Sequence, residues 1–204
     1  MDKKLLILDL DGTLLHCLEV PNLIFDLSPE EPTNPYSSCP EKNEDSFTIR
    51  GRLFWLRRRP YLDEFLRSLS SFGYELAIWT ASDPTYAFAV IHRIWPNDIP
   101  LKFIWTFSQC DLMPVSFSRQ QKPSERKFLI RKDLRKVWRH KSWGYNKCNT
   151  LILDDTPSTY SQNYNNAIPI KSYLGESDDT ELKRLLPICE SLMKVSDVRS
   201  APKC

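Results

Sequence analysis

Glycine is scarce in this 204-residue chain, with five in all. None forms a G-x-G-x-x-G or Walker A pattern, so those backbone cradles for nucleotide phosphates are excluded. The cysteines Cys17, Cys39, Cys110, Cys148, Cys189 and Cys204 are scattered, and no two make a C-x-x-C. That spacing argues against a zinc knuckle, a redox pair or a disulfide framework, and for inert thiols in reducing surroundings. Long apolar runs are missing as well. The first one is interrupted by Asp9 and Asp11, too early for a signal-peptide core, and no later stretch has the length of a membrane span. Charge of one sign is also lacking: 28 Lys and Arg stand against 26 Asp and Glu, a net +2, which is too small a surplus for a nucleic-acid footprint. The expectation is a monomer in the cytoplasm or another reducing intracellular compartment, with no membrane span and no nucleic-acid partner.

What is present is an ordinary globular composition, 41% hydrophobic and 26% charged, enough to bury a core. One domain over residues 1–195 is expected. Pro29, Pro32, Pro35 and Pro40 mark 28–46 as an inserted surface loop, and 196–204 reads as a tail or linker. Leu5 to Leu8, Leu76 to Trp79 and Leu151 to Leu153 are continuous apolar runs, the pattern of strands buried on both faces. Leu101 to Phe107 and Ala167 to Ile170 read as further strands. Phe47 to Ile49 and Leu53 to Leu56 flank Arg50-Gly51-Arg52 and predict a β-hairpin. Helices are predicted from Pro60 to Gly73, from Asp83-Pro84 to Pro96, over 124–140, and over 179–192 with Pro187 interrupting it. Strands alternating with helices give an α/β class: a Rossmann-like parallel sheet flanked by helices.

Three of the apolar strands run into polar residues of one kind: Asp9-Leu10-Asp11-Gly12-Thr13, Thr80-Ala81-Ser82 and Asp154-Asp155. Reacting groups in an open parallel sheet gather beyond the carboxyl ends of the strands. Carboxylates brought together there repel one another and require a cation, and all-oxygen ligands favour a hard metal, most simply Mg²⁺. Two acids at a spacing of two residues can divide the labour of phosphoryl transfer, one attacking phosphorus and the other moving the proton. Arg57, Arg58 and Arg59 form a basic cluster that reads equally as a rim drawing in phosphorylated substrate and as surface solubility.

These residues resemble the haloacid dehalogenase (HAD) superfamily of phosphatases, whose first motif is D-x-D-G-T. Arg59-Pro60-Tyr61-Leu62-Asp63-Glu64-Phe65-Leu66, Trp79-Thr80-Ala81-Ser82, Lys132-Asp133-Leu134 and Asp179-Thr180-Glu181-Leu182 narrow the likeness to the small C-terminal-domain phosphatases, or NLI-interacting-factor group, over about residues 1–190. The resemblance implies Asp9 as nucleophile, Asp11 as general acid and base, and Thr80 and Lys132 on the phosphate. It further implies Mg²⁺ held by Asp9, the Asp11 carbonyl, Asp155 and Asp154. Only the family phrase singles out Lys132 from its basic neighbours Arg126, Lys127, Arg131, Arg135, Lys136 and Arg139. Two positions depart from the group, which commonly has Glu where this chain has Gly12 and often Asn where it has Asp155. No stretch is a full cap domain, so the crevice is expected to admit a phosphorylated protein, on serine/threonine or tyrosine. The alternatives are a small-molecule phosphomonoester phosphatase and a non-catalytic phosphoprotein-binding module.

Overall fold

A computed structural model describes residues 3–20, 44–115 and 127–203. Strand β1 (Lys4–Leu8) is the middle of a five-stranded parallel sheet ordered β10-β9-β1-β5-β6, completed by β5 (Tyr74–Trp79), β6 (Leu101–Trp105), β9 (Thr150–Asp154) and β10 (Ala167–Pro169). The chain builds outward from β1 to β6, then returns to the other side of β1 for β9. The crevice between β1 and β9 is therefore the place where strand order reverses, where such sheets bind their ligands.

Every residue of β1 and β9 is buried, as their unbroken apolar runs require. Leu6 and Leu8 join the core beneath helices α1 (Leu62–Phe72) and α4 (Glu181–Met193), together with Phe65, Leu69 and Leu185. Leu5 and Ile7 point the other way, into a second core with Trp79, Leu134, Val137 and Tyr145. Helix α1 buries Leu62, Phe65, Leu66 and Leu69, the spacing read from the sequence, and stops at Gly73. Helix α2 (Pro84–Ile94) opens on Asp83, whose carboxylate accepts from the Thr85 N–H at 2.9 Å, with Pro84 in the first turn. Helix α4 runs through Pro187 without ending there.

The hairpin forms from β3 (Glu44–Ile49) and β4 (Arg52–Arg58). Arg50 and Gly51 both have positive φ, 49° and 78°, the left-handed pair that a tight two-residue hairpin turn needs. Strand β2 (Leu15–Glu19) adds to the other edge of β4, giving a small antiparallel sheet ordered β2-β4-β3. Of the expected insertion at 28–46, residues 28–43 lie outside the described residues, and Glu44 to Ser46 belong to β3.

The helix expected over 124–140 is not what forms. Residues 124–126 lie outside the described residues; of the rest, Phe128–Arg131 is strand β8, paired antiparallel with β7 (Asp111–Pro114), and α-helix forms over Arg135–Trp138, as α3. The apolar spacing of Leu134 and Val137 is that of a helix, but Phe128 to Arg131 find a ladder partner far back in sequence, and that pairing overrides local periodicity. Residues 196–203, expected as a tail, lie against the body. Val198 is fully buried, and its N–H donates to the Cys148 carbonyl at 2.9 Å.

Candidate active site

The loop after β1 folds back on itself. The Leu10 carbonyl accepts from the N–H groups of Thr13 and Leu14 at 3.1 and 2.8 Å, and Gly12 donates to Leu15 at 2.8 Å. Gly12 sits at φ +77°, and a Cβ there would stand 2.5 Å from Asp155 Oδ2 and 3.0 Å from Ser172 Oγ. Only glycine tolerates both that dihedral and that approach. Thr13, entirely buried, ties this loop to the end of β9: its hydroxyl accepts from the Asp155 N–H at 3.2 Å and lies 3.5 Å from Asp155 Oδ1.

Asp9 and Asp11 leave this loop in different directions. Asp9 Oδ1 accepts from Lys132 Nζ at 2.6 Å, and the same ammonium reaches Asp154 Oδ2 at 2.6 Å. Asp11 instead accepts from Ser82 Oγ at 2.9 Å and from the Tyr86 hydroxyl, both groups coming from the end of β5 and the start of α2. Thr80 is buried, its hydroxyl accepting from the Ser82 N–H at 3.1 Å. Among the described members of the basic run, Lys132 is brought to Asp9. Lys136 pairs with Asp111 at 2.7 Å and Arg135 with Asp133 at 2.7 Å.

Asp9, Asp154 and Asp155 each offer an oxygen within 4.8 Å of the others. Asp11 does not join them through its side chain, which is held by Ser82 and Tyr86. The donor set is oxygen throughout and carries more negative charge than Lys132 alone balances, which suits a hard divalent cation. Burial pushes the Asp9 carboxyl up to about 8, with Lys132 opposing and the Asp154 carboxylate adding to the rise. Burial also raises Asp11 above the usual carboxylate range, partly offset by hydrogen bonds from Tyr86 and Ser82. Burial works against the Lys132 charge, yet the two flanking carboxylates more than compensate and keep it protonated.

Arg57 and Arg59 of the arginine cluster are buried and turned to structural partners rather than to a rim. Arg59 is buried and holds the first loop from beneath, donating to the Thr13 and Lys171 carbonyls at 3.0 and 2.8 Å and to both oxygens of Asp179 at 2.8 Å. Arg57 donates to the Gly175 carbonyl at 2.7 Å and Arg58 to that of Arg93. Trp79 is likewise buried, edge-on to Trp105 at 4.8 Å, and serves packing. The functional neighbours that motif reading passes over are Ser82, as a partner of Asp11, and Tyr86. A signal for Tyr86 exists in the sequence: Asp83-Pro84 starts a helix at the carboxyl end of a strand, so the first turn of that helix borders the crevice.

The chain is 31% identical over 198 residues to CTD nuclear envelope phosphatase 1B of Danio rerio, covering 97% of this chain and 70% of that protein. It is 31% identical over 210 residues to nuclear envelope morphology protein 1 of Saccharomyces cerevisiae, covering 97% of this chain and 41% of that one. The fission yeast RNA polymerase II CTD phosphatase Fcp1, in a beryllium-fluoride-bound structure, shares the fold with a TM-score of 0.56 at 20% identity, over 97% of this chain and 53% of that one. The relatives overturn the cytoplasmic placement expected from the sequence, since they are proteins of the nuclear envelope. The physical error lies in the inference from apolar runs. No helix among the described residues is long and apolar enough to cross a membrane, but that addresses spanning and not attachment to a membrane. The match to the NLI interacting factor-like phosphatases extends over residues 4–199; the chain belongs to that family of HAD-fold phosphomonoester hydrolases.

Proposed function

We propose that the protein is a phosphoprotein phosphatase working through an aspartyl-phosphate on Asp9. The observation that carries this reading is the divergence of two acids only two residues apart, one facing a lysine and an acidic cluster, the other facing two hydroxyls. An Asp9 oxygen forms a bond to phosphorus as the ester O–P bond breaks, and the Asp11 carboxyl gives its proton to the departing oxygen. Asp11, now a carboxylate, takes a proton from the water that attacks phosphorus, and orthophosphate leaves as Asp9 is freed. Lys132 and the Thr80 hydroxyl neutralise and orient the phosphoryl oxygens.

Mg²⁺ is the cation we assign to the acidic cluster, with Asp9, Asp154, Asp155 and the Asp11 carbonyl as its holders. When bound it supplies positive charge beside the phosphoryl group. Substrate size follows from the surroundings. Beyond the main sheet and its helices, the described residues form a three-stranded sheet and a two-stranded ribbon rather than a cap domain. An open crevice suits a phosphorylated polypeptide on serine/threonine or tyrosine better than a sugar phosphate. The nuclear envelope of the relatives is the compartment we propose for this chain.

Asp9→Asn tests the chemistry, because it removes the attacking oxygen's charge at nearly constant volume. Phosphopeptide hydrolysis should vanish while the far-ultraviolet circular dichroism stays that of the parent. Normal turnover by this variant overturns the assignment. Faster cleavage of sugar phosphates than of phosphopeptides by the parent overturns the substrate class.

A further inference from the structure

Asp11 is gripped on both oxygens. Ser82 Oγ donates to Oδ2 at 2.9 Å and the Tyr86 hydroxyl donates to Oδ1. The Tyr86 ring is itself fixed, packed against Phe54 and Phe47 with centroids 5.6 and 6.3 Å away, and those two rings stack on each other at 5.4 Å. Its hydroxyl is thus aimed by the hairpin of β3 and β4, an element separate from the loop that carries Asp11. A carboxylate so close in sequence to Asp9 would otherwise be drawn towards the cation its neighbours attract. Each carboxyl oxygen has two lone-pair directions, so one hydroxyl on each still leaves room for the catalytic proton.

We propose that Tyr86 is a positioning residue for Asp11: it holds that carboxyl on the leaving-group side of the crevice, apart from Asp9, Asp154 and Asp155. The proposal rests on the reading of Asp11 as the proton donor. Its signature is dependence on the leaving group. Serine and phenol depart only with a proton from Asp11, whereas p-nitrophenolate departs without one, as the Asp9–phosphorus bond forms in each case.

The test is single-turnover release, with enzyme in excess, from phosphates graded from p-nitrophenol through phenol to a phosphoserine peptide. It compares the parent, Tyr86→Phe and Asp11→Asn. Tyr86→Phe keeps the ring and its packing and loses only the hydroxyl. It should slow the phenyl and serine substrates by roughly 10–100-fold, a part of the full effect of a general acid, and the p-nitrophenyl substrate by less than about 3-fold, with the half-saturating enzyme concentration little changed. Asp11→Asn should show the same split, larger. A split in Asp11→Asn without one in Tyr86→Phe overturns the proposal and leaves the role of Asp11 intact. Equal slowing of all substrates by Tyr86→Phe also overturns it, because that is the mark of general structural damage. No split in Asp11→Asn removes the reading of Asp11 itself.

Discussion

Gly12 and Asp155 lie against each other in space. An added Cβ at Gly12 would fall 2.5 Å from Asp155 Oδ2 and 2.9 Å from its Cγ. A side chain at 12 and this placement of the Asp155 carboxylate exclude each other. Gly12→Ala should lower stability by about 1–3 kcal/mol, from the left-handed dihedral and from displacing Asp155. Thermal melts read the first effect. A calorimetric titration with Mg²⁺ reads the second as weakened binding, because one of the three clustered carboxylates has been pushed aside. Unchanged Mg²⁺ binding in a folded Gly12→Ala protein would separate Asp155 from the cation.

Between elements, one buried tie is the Arg59–Asp179 pair, with side chains 0% and 6% exposed. It joins the end of β4, the loop after β1 and the start of α4. Asp179→Asn leaves the guanidinium buried without its counter-charge and should cost about 3–5 kcal/mol, measured by urea unfolding. Burial alone would raise the Asp179 carboxyl, but Arg59 outweighs it and holds the folded-state value below the usual range. The stability it contributes is therefore present above the ordinary carboxylate pKa and is lost as pH falls through the depressed one. The gap between parent and Asp179→Asn should accordingly narrow on acidification below about pH 4. Elements with strong local signals were legible in the sequence: Leu5 to Leu8 as a buried strand, Leu62 to Leu69 as a helix face, Arg50-Gly51 as a turn. Strand β8 was not, because its partner β7 lies across a long connection and no local pattern in Phe128 to Arg131 encodes the pairing. The burial of Arg59 is illegible for a related reason. Nothing near it in sequence predicts Asp179, 120 residues away, as the group that permits its burial.

At the scale of the molecule, the reversal of strand order on either side of β1 gathers acids from distant parts of the chain into one crevice. The motif order and the class of sheet made that convergence legible, since carboxyl ends of parallel strands share one edge. The direction of each side chain there was not, and Asp11 turning to Tyr86 is the example. Lys132 offsets only part of the charge that Asp9, Asp154 and Asp155 bring together, so Mg²⁺ should raise the melting temperature as well as support turnover. Saturation at 100 times the dissociation constant corresponds to about 2.7 kcal/mol by mass action. Chelation with EDTA should reverse both effects, and a melting curve indifferent to Mg²⁺ would count against the cluster as its site.

Val198, seated beneath Cys148 and wholly out of the solvent, works as a cork for the base of the sheet. Cutting the polypeptide at residue 195 would pull it, giving up about 2 kcal/mol of apolar burial and opening the floor under β9. Asp154, at the far end of that strand, would lose rigidity although every residue of the crevice remained in place.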